Sequence, residues 1–232
     1  MKKLLVAFGD SWTFGSELDI PREDPWPTHL AEQLQAEVIN LGTPASSIEH
    51  TLVQLFDYIK ISANYTDYKK VFMVGLTGTT RYLTYSNRLG EFVNITPEAN
   101  YRTGDIHESG RPPDVVKEFG ALSGEMYRMV DSPEYNCYVA TKTMFAFQNY
   151  CDQHNIDVLF FSYFDLVKVD ATVVDIKNLY PVTITNALTG SEYKLPDIRN
   201  NQYFQGKLFH PNIVGHQRIA ELLYEQYVQT YC

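Results

Sequence analysis

The run Leu4-Leu5-Val6-Ala7-Phe8 is apolar at every position and stops abruptly at Gly9-Asp10. A strand's side chains alternate between two faces, so a run apolar on both alternations must be buried on both. That is the pattern of a parallel sheet covered by helices. Glu37-Val38-Ile39-Asn40-Leu41 reads as a second strand, Val71-Phe72-Met73-Val74-Gly75-Leu76 as a third buried strand and Val158-Leu159-Phe160-Phe161 as a fourth. Helical signals alternate with them. Asp24-Pro25 predicts a helix capped by Asp24, with Pro25 as its first residue, running through Leu30 and Leu34. Ser46-Ser47-Ile48-Glu49 matches a capping box, followed by a stripe of Leu52, Leu55, Phe56 and Ile59. Ser132-Pro133 opens a long helix through Tyr150, and the last helix spans about Pro211 to Tyr227. This alternation predicts a three-layer α/β/α sandwich.

The 232 residues suffice for one α/β domain, and 44% hydrophobic residues argue against global disorder. Two long, weakly periodic stretches, 82–131 and 163–209, read as insertions over the carboxyl edge of the sheet. A net charge of −9 argues against nucleic acid or an anionic membrane as partner. No apolar run nears the ~20 residues of a membrane helix. Lys2-Lys3 precede an apolar run too short for the ~7–15 residues of a signal peptide's core, so a cytoplasmic location is expected. The three cysteines agree with a reducing compartment. Cys137 and Cys151 share one predicted helix, ~21 Å apart at ~1.5 Å rise per residue, beyond disulfide reach. Without a secretion signal, Asn64-Tyr65-Thr66 and Asn94-Ile95-Thr96 are coincidental glycosylation patterns.

Open α/β sheets bind ligands beyond the carboxyl ends of their strands, and Ser11 sits there after the first strand. Ser11 is the candidate nucleophile, with Asp10 in the turn that aims its hydroxyl. A serine hydroxyl needs a base to take its proton and donors to receive an oxyanion. His210, before Pro211 and the last helix, is the candidate base, since a helix N-terminus favours the neutral imidazole. His216 lies roughly 240° around that helix from His210, so the two are not co-ligands. His29, His50, His107 and His154 show no metal-ligand spacing.

Gly9-Asp10-Ser11-Trp12-Thr13 and His210-Pro211-Asn212-Ile213-Val214-Gly215-His216 together resemble the first and last signature blocks of the GDSL/SGNH hydrolases, a family of esterases and carbohydrate deacetylases. The resemblance implies a flavodoxin-like sandwich with a mostly parallel five-stranded sheet in a single domain, and serine-dependent ester cleavage without a cofactor. It implies an oxyanion hole from the amide of Ser11, the amide of Ala45 (with Gly42 as a second register) and the position of Thr79, where the family has asparagine. Alanine replaces the family's glycine at position 45, at little cost if φ there is negative. Arg81 is a possible substitute donor. The family's aspartate, three residues before the histidine, is here Lys207. A lysine cannot accept from the imidazole N–H. The ring is then oriented by a backbone carbonyl or a water, or by an acid from an insertion such as Asp165 or Asp197.

Tyr82, Tyr85, Phe92, Tyr101, Tyr193 and Tyr203 lie in the insertions, and such side chains suit sugar rings or acyl groups. The expected function is hydrolysis of a carboxylic ester, with an O-acetyl group on a carbohydrate as one substrate. A catalytically weakened module of the same fold, binding a saccharide or a protein, is the alternative. Nucleotide binding has no support, because Thr77-Gly78-Thr79-Thr80 lacks a phosphate-loop lysine.

Overall fold

A computed structural model describes residues 1–232 apart from 22, 79, 88–89, 96–120, 122–123, 126–127, 129–130, 165, 191–200 and 206–209. In chain order the described elements are β1 (Lys2–Phe8), α1 (Ser11–Phe14), α2 (Trp26–Leu34), β2 (Ala36–Asn40), α3 (His50–Ile61), β3 (Tyr68–Leu76), β4 (Tyr82–Ser86) and β5 (Glu91–Ile95). They continue with α4 (Pro133–His154), β6 (Asp157–Ser162), α5 (Ile184–Thr189), β7 (Phe204–Gln205), β8 (His210–Pro211) and α6 (Ile213–Tyr231).

The main sheet has the order β2-β1-β3-β6, with every neighbouring pair parallel. β1 lies inside it, which is why its apolar run has no polar alternation. Leu5 and Ala7 enter one core with Trp26, Leu30, Met73, Phe161 and Ile219. Leu4, Val6 and Phe8 enter the other with Tyr58, Phe72, Phe147 and Phe160. Each fully buried side chain of this size contributes about 1.5–3 kcal/mol. Helices α2, α5 and α6 cover the first face, and α3 and α4 the second. Beyond β6 the place of a fifth strand is held by a single parallel bridge between Phe160 and Leu179. There the Tyr180 N–H donates to the Phe160 carbonyl at 2.8 Å. Pro181 follows and has no N–H with which to extend the ladder.

Three helix starts depart from the sequence reading by one to three residues. Pro25, not Asp24, is the cap residue of α2, and no side chain caps that end. α3 begins at His50, whose N–H donates to Ser47 Oγ at 3.2 Å. The buried face of α3 is Thr51, Gln54, Leu55 and Tyr58, while Phe56 stays exposed. Asn212 caps α6 through the Gly215 N–H, so His210 and Pro211 form a short strand rather than the first helical turn. Ser132 caps α4 as expected, and that helix carries Cys137 and Cys151, both free. Among the described residues no helix is long and apolar enough to cross a membrane.

His216 links α6 to α2. Its ring is fully buried and Nδ1 accepts from the Trp26 N–H at 3.1 Å. Burial first, then the neighbouring His29 and His210, hold its pKa down to about 3. An unfolded histidine titrates near 6.5, so below that pH the unfolded chain binds a proton the folded chain refuses. The stabilisation is complete above about pH 6.5 and erodes as pH falls toward 3. Between pH 6.5 and 5, before carboxylates titrate, the unfolding free energy should drop by up to ~1.4 kcal/mol per pH unit from this site. Urea denaturation at pH 7, 6 and 5 measures it. His216→Gln should flatten the slope, and an unchanged slope in that variant would refute the assignment.

Candidate active site

The turn after β1 is built by short-range chemistry. Gly9 has φ +148°, and a Cβ there would strike Thr13 Oγ1, so only glycine fits. The Gly9 carbonyl accepts from Thr43 N (3.0 Å), Ser46 Oγ (2.9 Å) and Gln54 Nε2 (2.8 Å), while its N–H donates to Gln54 Oε1 at 2.9 Å. Asp10 is fully buried, and its Oδ1 caps α1 by accepting from Trp12 N at 3.0 Å. Ser11 is the first residue of α1, 8% exposed. Tyr163, which follows β6 directly, supports this turn through a hydrogen bond between its hydroxyl and Thr13 Oγ1.

The loop after β2 is fastened to that turn. Asn40 Nδ2 donates to the Thr13 carbonyl at 2.7 Å, and Gly42 lies so close to α1 that a Cβ would come within 2.5 Å of Phe14 N. Ala45 is exposed with φ +59°. The condition for a cheap alanine is not met: the position lies in the left-handed region, where a Cβ costs roughly 1–2 kcal/mol. The backbone N–H groups of Ser11 and Ala45 donate to no other described residue.

Arg81 is a clamp rather than a surface charge. Its Nη1 donates to Asp10 Oδ2 at 2.8 Å and to the Ser46 carbonyl at 3.3 Å, with 17% of its side chain exposed. It thereby ties the Ser11 turn to the Ala45 loop. The β4–β5 hairpin docks on the same loop. Asn94 Oδ1 accepts from Ser47 N at 3.0 Å, which leaves Asn94 Nδ2 to donate to His50 Nδ1 at 2.8 Å. A protonated His50 could not accept that bond, and burial accordingly lowers its pKa. The hairpin carries Tyr85 and Phe92, half-exposed and edge to face at 5.3 Å, whereas Tyr82 is buried. Tyr203 packs against the core beside β7.

From the far end of the chain, β8 brings His210 against α1. His210 is 7% exposed, and Nδ1 lies 2.8 Å from Glu17 Oε2. An ionised carboxylate only accepts, so this pair requires the proton on Nδ1 and leaves Nε2 basic. The expectation of a carbonyl or water as partner is corrected: the partner is a carboxylate, from the loop after α1. Glu17 is not among the acids the sequence singles out, because it lies neither near the histidine nor in the insertions. The only local signal was an acid soon after the serine, common in any loop. No hydrogen bond joins Ser11 Oγ to His210, a bond that often tightens only with substrate in place. Thr79, Asp165, Asp197, Lys207, Tyr101 and Tyr193 lie outside the described residues. No group of three or more metal-binding side chains occurs among the described residues.

No family model and no curated protein matches the chain. Solved structures do. A carbohydrate esterase whose active site displays divergent catalytic and non-catalytic binding functions is 11% identical, with a TM-score of 0.50 over 99% of this chain and 65% of that one. An acetyl xylan esterase from the rumen bacterium Butyrivibrio proteoclasticus is 12% identical, with a TM-score of 0.48 over 96% of this chain and 63% of that one. A protein described as a putative lipolytic protein of the G-D-S-L family, from Desulfitobacterium hafniense DCB-2, is 17% identical, with a TM-score of 0.35 over 97% and 99%. The first of these likenesses shows a shared fold: a mostly parallel sheet between helical layers.

Proposed function

We propose that the chain is a serine hydrolase of the GDSL/SGNH type that cleaves a carboxylic ester. The observation that carries this reading is the packing of α1, which opens on Ser11, against β8, which opens on His210, at the carboxyl end of β1. Ser11 Oγ attacks the ester carbonyl as His210 Nε2 takes its proton. The carbonyl oxygen becomes an oxyanion held by the amides of Ser11 and Ala45. When the C–O bond breaks, His210 returns the proton to the departing alcohol. A water, deprotonated by the same nitrogen, then releases the acid and restores Ser11. No cofactor takes part in these steps.

The proposed substrate is an O-acetyl group on a carbohydrate. Tyr85 and Phe92 offer flat apolar faces on a hairpin fastened beside the Ala45 loop, suited to a sugar ring. The carbohydrate esterase that shares the fold supports the same class. A fluorophosphonate probe tests the chemistry, because it reports an activated serine without knowledge of the substrate. Mass spectrometry should locate the label on Ser11. A label on another residue would overturn the assignment, and an unlabelled native chain would favour the non-catalytic binding module.

A further inference from the structure

Resting on the hydrolase reading, we infer that Glu17 is the positioning carboxylate of the His210 imidazole, so that one short segment supplies both the nucleophile and the acid. Three observations converge. The contact is a hydrogen bond of 2.8 Å between Glu17 Oε2 and His210 Nδ1, with 9% of the histidine and 24% of the glutamate side chain exposed. A charge this sheltered is screened less than one on the surface. The segment between Ser11 and Glu17 is built to turn back: Gly15 is left-handed, and the N–H groups of Gly15 and Ser16 both donate to the Ser11 carbonyl at 2.9 Å. Glu17 itself has φ +66°, a conformation a glutamate rarely adopts, and the next residue, Leu18, is buried as an anchor. Strain held between an anchor and a tight turn, at the residue that meets the histidine, is the kind retained for function.

The chemistry follows from the geometry. The carboxylate fixes the tautomer with hydrogen on Nδ1, keeps Nε2 as the acceptor for the Ser11 proton, and stabilises the imidazolium that forms. Lys207, at the family's acid position, is then not required for this task. Among the described residues His216 also interacts with His210, and burial holds its pKa near 3, so it stays neutral through the working range.

The decisive measurement is the rate of fluorophosphonate labelling, and of p-nitrophenyl acetate hydrolysis, from pH 5 to 9 for the native chain and Glu17→Gln. A glutamine can instead accept and donate in either tautomer, so the rate at pH 7 should fall by about 10²–10⁴, by analogy with the aspartate-to-asparagine change in a serine protease triad. KM should change little, and the midpoint of the acid limb should move to lower pH, because the imidazole has lost its anionic neighbour. A tether without an electrostatic role would leave that midpoint in place. Labelling of the native chain with an unaltered rate and midpoint in Glu17→Gln would overturn this inference and leave the hydrolase reading standing. An unlabelled native chain would remove both. Should the variant fail to fold, ¹⁵N spectra of the native chain decide: at pH 8 the His210 hydrogen should sit on Nδ1, and its presence on Nε2 would rule Glu17 out.

Discussion

Arg81→Met is expected to destabilise the fold by about 3–5 kcal/mol, the typical cost of removing one partner from a buried ion pair. Methionine keeps most of the aliphatic stem, so the loss is chiefly the charge and its hydrogen bonds. Asp10 is fully buried, and without Arg81 its carboxylate keeps, among the described residues, the Trp12 N–H alone. The reverse change is expected to cost less. Asp10→Asn retains an oxygen that can cap α1, and the partly exposed Arg81 can still be reached by water. The double variant Arg81→Met with Asp10→Asn should therefore recover much of the loss, a coupling that a double-mutant cycle in urea reads directly. For a chain of this length 1 kcal/mol moves the melting temperature by roughly 2–4 °C, so the single variant should melt about 10 °C lower. A loss below about 1 kcal/mol would mean that water reaches Asp10 and that the pair is not the clamp proposed.

Arg81 also marks where sequence reading stops. Three strands of the sheet are legible because burial on both faces leaves a continuous apolar run in β1, β3 and β6, whereas the edge strand β2 is largely exposed. The Ser132-Pro133 start of α4 was legible because its cap is local. The Asp24 cap and the start of α3 were misread because turns just before those helices compete for the same residues. Ser11 and His210 could be singled out by motif and position. Their companions could not. Arg81 meets Asp10 across 71 positions, and Glu17 meets His210 across 193. Such pairings are set by how the chain leaves β3 for the β4–β5 hairpin and how β8 returns to α1, which no local pattern encodes. The φ of Ala45 was hidden for a related reason. An alanine gives no sign of a left-handed backbone, and it holds one because the flanking loop is pinned at Thr43 and Ser46.

The largest effect on turnover is expected at Ser11 and His210, and its form matters more than its size. If the two act as one unit, Ser11→Ala and His210→Ala should each lower kcat for p-nitrophenyl acetate by about 10⁴–10⁶, and the double variant should be no slower than either single one. A hydroxyl without a base is as idle as a base without a hydroxyl, so the second deletion has nothing left to remove. Some rate above the uncatalysed reaction should persist in all three, since the backbone amides at positions 11 and 45 remain to hold an oxyanion. Folding is not expected to confound the result. Ser11 Oγ makes no hydrogen bond to another described residue, and 24% of the Glu17 side chain is exposed, so water can reach its carboxylate in His210→Ala. Melting curves check that point. Losses that multiply in the double variant would show two residues acting independently, and an undiminished rate in Ser11→Ala would move the chemistry to another site.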